Sequence, residues 1–426
     1  MKRGQVANLQ RESVRGITRG GFPSVSFLEG SALKESLAKY LLVISGVHEH
    51  SLRPRLFEPD PHSARRGRRL MGFPEVSIVI TIYREGELLR DTVDSALGQS
   101  FEDLEILLVD NNADAATQGV AKEFASRFPR SVRIVSEPVQ GACSARNRGI
   151  AESRGRFVAF LDGDDIADPR RITLQRELFL GTSGLSLVSA RYDRVSMDNR
   201  TVVRKDVSVS EPRIWFETQE ILKELFPVGP KSGTGESLHF PLTSTTFFER
   251  ETALLAGGFD TRLNPRWFED IDFYMRMYTK GEFAKVPLSL ARYRIASPEQ
   301  MAVKRRQMDW VGFCRHMDRF YHILWEHFGK PSEETKRIFR KLSALWLRHE
   351  SLNFFRYREG KEIGVRMLDR AIRSDPGVME SWKLRLKAVL PRDFYPRLFW
   401  FDALASGPLP TGASMELADS IFRLKE

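Results

Sequence analysis

Between Pro74 and Asp165 the chain repeats one unit: a short, continuous apolar run, then an amphipathic stretch of helical spacing. Val76-Ser77-Ile78-Val79-Ile80-Thr81-Ile82 is β-branched almost throughout, as a strand buried on both faces should be. Glu87 to Gln99 then sets Leu88, Leu89, Val93 and Leu97 on one helical face. Glu105 to Val109 reads as a second buried strand, and Asp114 to Phe128 as a helix closed by Pro129. Val132 to Val135 is a third strand, Ala142 to Arg154 a helix preceded by Gly141, and Phe157 to Leu161 a fourth strand. Connections this short, in this order, require parallel strands joined by right-handed crossovers, and so an α/β sheet. Ligands of such sheets bind beyond the carboxyl ends of the strands. Thr81, Asp110 and Asp162 all stand at those ends and therefore face one crevice.

The fourth strand delivers Asp162-Gly163-Asp164-Asp165. Carboxylates this close repel one another, and burying them unpaired is costly. A divalent cation resolves that conflict, because Mg²⁺ or Mn²⁺ takes hard oxygen ligands and shares them with a diphosphate. The competing explanation is an acidic turn that caps the next helix, with Asp168 as N-cap and Pro169 as the first helical residue.

Farther along, Leu185 to Arg204 suggests a hairpin turning at Asp198-Asn199, and residues 206–240 are irregular, with a Gly/Pro/Ser cluster from Pro227 to Gly235. Thr243 to Phe248 reads as a strand, Glu269 to Lys280 as a helix ended by Gly281, and Ala284 to Val286 and Leu290 to Ile295 as strands. From about Ala302 the texture turns helical: Gln307 to Phe328, Ser332 to Arg358, Lys361 to Arg373 and Val378 to Val389. The hairpin around Tyr357, Ala371 and Pro376 looks like a single tetratricopeptide unit, and an array needs more copies. An aromatic segment begins at Phe394-Tyr395 and includes Phe399, Trp400 and Phe401; packing against the rest of the protein competes with membrane contact for it. Residues 1–73 are basic and broken by Pro, with one helix expected from Ala32 to Ile44 and linker from Pro54 to Arg69. The expected division is a basic N-terminal extension over 1–73, an α/β domain over 74–300 and a helical C-terminal subdomain over 301–426.

Composition excludes several classes. The formal charge is +10, with Arg53, Arg55, Arg65, Arg66, Arg68 and Arg69 contributing a basic run. That balance suits an anionic membrane surface, a nucleotide or a nucleic acid. No zinc finger, RNP-like aromatic motif or helix-turn-helix signature accompanies it, so a nucleic-acid partner is not expected. His48 and His50 lack companions for a metal site. Cys143 and Cys314 are too far apart for zinc spacing or a disulfide framework, which points to a reducing compartment. No apolar h-region and no run of roughly 20 apolar residues is present, so neither a secretory signal nor a spanning helix is expected. A cytoplasmic protein, at most peripheral on the inner face of the membrane, is the expectation.

The motifs carry a resemblance. Val76 to Glu85, then Leu108-Val109-Asp110-Asn111, then Gly141 with Ala145-Arg146-Asn147-Arg148-Gly149, then Phe160-Leu161-Asp162-Gly163-Asp164-Asp165 closely resemble family 2 glycosyltransferases. Gly257-Gly258-Phe259-Asp260 and Trp267-Phe268-Glu269-Asp270-Ile271-Asp272-Phe273-Tyr274-Met275-Arg276 match the second half of that family. The similarity covers roughly residues 74–296, and the order and spacing of the pieces make it specific.

The resemblance implies an α/β GT-A fold, a Rossmann-like mixed sheet, here with a helical C-terminal subdomain. It implies an inverting transferase that takes a sugar from a nucleotide-diphosphate donor, UDP-linked by expectation. The acceptor would be a saccharide or lipid-linked saccharide, in surface polysaccharide or glycolipid assembly. By the same resemblance Thr81 to Tyr83 lie against the nucleobase, Glu85 belongs to the nucleotide-sugar site, and Asp110 accepts from the base. Asp162 lies near the ribose, Asp164 holds Mn²⁺ or Mg²⁺, Asp165 supports the turn or faces the sugar, and Arg146 supports the diphosphate. Asp270 is the expected catalytic base, with Glu269 orienting the acceptor or neighbouring groups. Asp272 and Arg276 are spaced to pair on the same helix.

The chain departs from the family pattern in places. Thr81-Ile82-Tyr83-Arg84 replaces Pro-x-Tyr-Asn, and Asn111-Asn112-Ala113-Asp114 replaces an acidic-Gly-Ser run. Ala296 stands where many members carry a His that helps hold metal or diphosphate. Two other functions fit the same sheet. A sugar nucleotidyltransferase would need a Gly-rich basic phosphate loop, which Tyr83-Arg84-Glu85-Gly86-Glu87 poorly matches. A non-catalytic nucleotide-sugar-binding module would not need Asp162, Asp164 and Asp270 together.

Overall fold

The computed structural model describes residues 73–204, 241–265, 268–297, 309–328, 333–388 (apart from 356, 358 and 378), 409 and 412–423. The expectations for residues 1–72, the 206–240 segment, Trp267 and the aromatic run from Phe394 lie outside these residues.

The continuous apolar runs form the strands they predict. β1 (Val76–Ile82) pairs in parallel with β2 (Leu104–Asp110) and with β4 (Phe157–Asp162), while β2 pairs in parallel with β3 (Val132–Ser136). The crossovers are α1 (Leu88–Leu97), α2 (Ala115–Arg127) and α3 (Ala142–Glu152). After β4 come β5 (Ile166–Ala167), α4 (Arg171–Gly181), β6 (Leu185–Ser196), β7 (Val202–Arg204), β8 (Phe247–Glu249), α5 (Arg250–Leu255), α6 (Glu269–Tyr278) and β9 (Glu282–Ile295). The order β3-β2-β1-β4-β8-β6-β9-β5, with β7 on β6, makes one nine-stranded sheet. β8 runs antiparallel to β4 and to β6, so the sheet is parallel on one side and mixed on the other. Register puts Thr81 beside Asp162 and Ile82 beside Asp110, so the three polar strand ends do lie side by side.

Several local expectations are corrected. Asp168 does not cap α4; Arg170 occupies the cap position, and the Asp168 carboxylate accepts from the Arg170 amide and guanidinium. Thr243 to Phe248 is not one strand: Thr243–Thr245 is a 3₁₀ turn and only Phe247–Glu249 is extended. Ala284 to Ile295 is not split: β9 runs through Pro287, and its pairing with β6 skips register there, from Val286 opposite Ala190 to Ser289 opposite Arg191. A strand accepts Pro at such an irregularity because no ladder hydrogen bond is required of it. The Asp198-Asn199 turn is present, with Asn199 at φ 58°.

The C-terminal helices are α7 (Trp310–Phe328), α8 (Glu333–Phe355), α9 (Lys361–Ser374), α10 (Met379–Lys387) and α11 (Met415–Ser420). They share a core with the sheet. One buried cluster runs from Val79, Val109 and Phe160 through Phe248, Phe259 and Phe273 to Phe320, Leu324, Met367 and Phe422. Among the described residues no helix is long and apolar enough to cross a membrane.

Candidate active site

At the end of β4 the acidic turn is held from several sides. Asp165 is fully buried. Its Oδ2 accepts from the Ser244 hydroxyl at 2.5 Å, and its Oδ1 accepts from the Arg294 amide at 3.1 Å. The same Ser244 oxygen accepts from the Asp162 amide at 3.0 Å, so the 3₁₀ turn before β8 pins both aspartates. Burial, reinforced by Asp162 and Asp164, pushes the Asp165 carboxyl well above its usual range. Asp165 thus sits behind the turn, whereas Asp162 and Asp164 are only half-buried.

Helix α1 and Gln99, just beyond its end, bond along the turn. Thr92 Oγ1 donates to the Gly163 carbonyl at 3.0 Å, the Ala167 amide donates to Ser95 Oγ at 3.1 Å, and Gln99 Nε2 donates to the Asp168 carbonyl at 2.9 Å. Gly163 is required by close approach: a Cβ there would lie 2.8 Å from Glu85 Cγ and 3.1 Å from the Thr81 carbonyl oxygen. Beneath the sheet, the buried Arg171 donates to the carbonyls of Phe160 and Thr246 at 2.8 and 3.0 Å. Burial lowers its basicity, to about 9, against the opposing pull of Asp165 and Asp162.

Glu85 enters the same site. Its carboxylate accepts from the Tyr83 amide at 2.6 Å. Burial lifts its pKa to about 7, and Asp164 and Asp162 add to the lift. Asp110 is engaged locally: Oδ1 accepts from the Ala113 amide at 2.8 Å and Oδ2 from Gln118 Nε2 at 2.9 Å. The N-cap of α2 is Asp114, which accepts from the Thr117 amide. Tyr83 is exposed and Thr81 half-exposed at the open end of β1.

Glu269 and Asp270 open α6, where free backbone N–H groups favour carboxylates. Arg146, on α3, joins the two sides. One guanidinium nitrogen donates to Glu269 Oε1 at 2.7 Å and the other to Asp162 Oδ1 at 3.3 Å. Burial works against the arginine's charge, but Asp162 and Glu269 keep it firmly protonated. Among the described residues Glu269 Oε2 and Arg146 Nε are buried without a hydrogen-bond partner. Asp270 is half-buried and accepts from the Ile271 amide at 2.8 Å. Burial, with Glu269 beside it, raises its pKa to about 7.

The start of α6 is braced by the C-terminal helices. Phe268, immediately before the acid pair, has φ 64° and ψ 3°, a left-handed conformation that a bulky residue adopts only under constraint. Its ring stacks on Phe320 of α7, with centroids 5.1 Å apart. His327, also on α7, lies 2.7 Å through Nδ1 from Asp272 Oδ1. The expected Asp272–Arg276 pair forms at 2.6 Å.

Sequence reasoning missed Ser244, Arg171, Arg294 and His327. Ser244, Arg171 and His327 are ordinary residue types outside any motif, and Arg294 stands in the Tyr293-Arg294 dipeptide that precedes Ala296, with no role assigned to it from sequence. The oxygen-rich set of Asp162, Asp164 and Glu85, with the Glu85 carboxyl raised by burial and by its two acidic neighbours, is the donor chemistry of a hard divalent cation. Among the described residues no group of three or more acidic, His or Cys side chains is arranged to hold an ion.

Residues 77–238 match the family model for glycosyl transferase family 2. Over that stretch the sequence is similar to the family 2 glycosyltransferases. Its relatives bear the same name: it is 31% identical over 153 residues to the uncharacterized glycosyltransferase EpsJ of Bacillus subtilis, covering 35% of this chain and 43% of that one. It is 25% identical over 221 residues to the uncharacterized glycosyltransferase alr2836 of Nostoc, covering 52% of this chain and 65% of the other. The aligned region thus spans less than two thirds of either relative. Among solved structures, S. aureus TarS 1–349 in complex with UDP-GlcNAc superposes with a TM-score of 0.50 at 14% identity, over 77% of this chain and 87% of TarS 1–349. That likeness shows the GT-A fold.

Proposed function

We propose that this protein is an inverting glycosyltransferase. It moves a sugar from a nucleotide-diphosphate donor, UDP-linked in the first instance, to a saccharide or lipid-linked saccharide in surface polysaccharide or glycolipid assembly. One observation carries the proposal: the Arg146 guanidinium bonds Asp162 on the strand side and Glu269 on the helix side, tying a donor pocket to an acid pair.

The roles follow from position. Thr81, Tyr83, Glu85 and Asp110 line the strand ends where a nucleotide would lie, with Asp162 toward the ribose. Asp165 supports the turn from behind. Asp164, with its neighbours, would hold Mn²⁺ or Mg²⁺, which when bound neutralises charge on the departing diphosphate. Asp270 takes the proton from the acceptor hydroxyl as that oxygen bonds the anomeric carbon; the bond to the diphosphate oxygen breaks and its electron pair leaves with the nucleotide. A carboxylate poised at about 7 suits that proton transfer. Glu269 orients the acceptor or neighbouring groups, and Arg146, bonded to Glu269 and Asp162, supports the diphosphate. The single attack fits inversion at that carbon.

The test is thermal stabilisation by UDP, GDP, dTDP and CMP compounds, with and without Mn²⁺, followed by NMR of the product anomer. Stabilisation by UDP that grows with Mn²⁺, and an inverted product, are expected. No response to any nucleotide would end the proposal, and a retained anomer would end its inverting part. We also propose peripheral contact of the basic cluster at Arg65 to Arg69 with anionic membrane. Deleting residues 1–70 then reduces pelleting with anionic liposomes at low salt, and unchanged pelleting refutes the contact.

A further inference from the structure

Arg294 occupies an unusual position. Its side chain is 1% exposed, on β9, two residues before the Ala296 that replaces the common histidine. Arginine is rarely buried this far without a task. One guanidinium nitrogen donates to the Asp164 carbonyl at 2.8 Å, and the other donates to Asp91 on α1. Its backbone amide donates to Asp165 at 3.1 Å. Arg294 therefore grips both ends of the Asp164-Asp165 step and ties it to α1, whose next residue, Thr92, already bonds the Gly163 carbonyl. Its Nε is buried without a partner among the described residues, so the fold accepts an unsatisfied donor in order to aim the guanidinium at this turn.

We infer that Arg294 is a positioning residue: through the Asp164 carbonyl and the Asp91 tether it fixes the Asp164 carboxylate in the orientation that receives a divalent cation and the donor diphosphate. The tether is electrostatic as well as geometric, because a buried cation behind an acidic turn offsets the repulsion among its carboxylates. The inference rests on the donor site proposed above. Partners behind a ligand, which do not touch the ion, commonly change metal affinity by about 10- to 100-fold when removed.

The experiment uses the full chain. Binding of Mn²⁺ alone is followed by electron paramagnetic resonance, and binding of UDP with and without Mn²⁺ by calorimetry, for wild type, Arg294→Met, Arg294→Lys, Asp91→Asn and Asp91→Asn/Arg294→Met. Arg294→Met should weaken Mn²⁺-dependent UDP binding about 10- to 100-fold and leave the weak Mn²⁺-free binding within about twofold. Arg294→Lys should recover part of the loss, and the double variant should be no worse than Arg294→Met alone. Asp91 is 58% exposed, so Asp91→Asn keeps the fold and loosens only the tether; it should reproduce a smaller, Mn²⁺-specific loss even if Arg294→Met does not fold. A purely structural role would lower thermal stability without separating the two UDP affinities. Wild-type binding of Mn²⁺ and UDP with no change in folded Arg294→Met or Asp91→Asn overturns the inference alone. Wild type that binds neither overturns the donor site itself.

Discussion

The two acidic regions of the crevice are built differently. The turn at the end of β4 is fixed by many contacts, neutral and charged: Ser244 bridges Asp162 and Asp165, α1 bonds its backbone, and the Arg294 guanidinium ties it to Asp91. The acid pair on α6 is held by a charged bridge, Arg146, which leaves Glu269 Oε2 without a partner among the described residues and Asp270 elevated in pKa. A turn that must present ligands needs fixed geometry. A base needs an adjustable protonation state, and sparse hydrogen bonding with partial burial provides it. Rigidity on one side and electrostatic poise on the other is the division of labour that the proposed transfer requires.

Substitutions can break that contrast, and the largest effect is expected at Asp270. Asp270→Asn should lower kcat by about 10²- to 10⁴-fold while donor affinity, measured by calorimetry, stays within about twofold; equal loss of both would merge the two regions into one. Arg146→Met should destabilise the fold by about 3–5 kcal/mol, since it strands the buried Glu269 charge; urea denaturation showing under about 1 kcal/mol would mean the bridge is incidental. Ser244→Ala should cost about 1–3 kcal/mol by leaving the buried Asp165 and the Asp162 amide short of a partner, and should weaken donor binding more than kcat. His327→Gln should cost about 1 kcal/mol and lower kcat with donor affinity intact, because α7 braces the acid pair and not the turn; a change in donor affinity instead would contradict that assignment.

Much of this arrangement is legible in the sequence. Uninterrupted β-branched runs can only be buried strands, and the parallel order that follows brings Thr81, Asp110 and Asp162 to adjacent strand ends. Pairing of Asp272 with Arg276 follows from helical spacing. What joins the two acidic regions is not legible. Arg146 is marked by the family pattern as a support for the diphosphate, but that pattern does not disclose that it is 8% exposed and reaches across 123 positions to Glu269. Ser244 sits in a Thr/Ser run that reads as strand, and only the 3₁₀ turn aims its hydroxyl at Asp165. Asp168 fits a helix cap by spacing, but its neighbour Arg170 competes for the carboxylate with both amide and guanidinium and wins. Long-range partners of this kind are fixed by tertiary packing, which local pattern does not encode.

Titration offers the most direct test, because burial beside Glu269 sets the proposed base at about 7. A carboxyl whose native pKa is raised works as a base only above that value, and its ionisation makes the folded state less stable as pH rises through it. With such a base, kcat/KM of the wild type rises about tenfold per pH unit below about 7 and then levels, and Asp270→Asn removes this limb from its residual activity. A profile flat from about pH 5 to pH 8, or a limb that survives intact in Asp270→Asn, would contradict it.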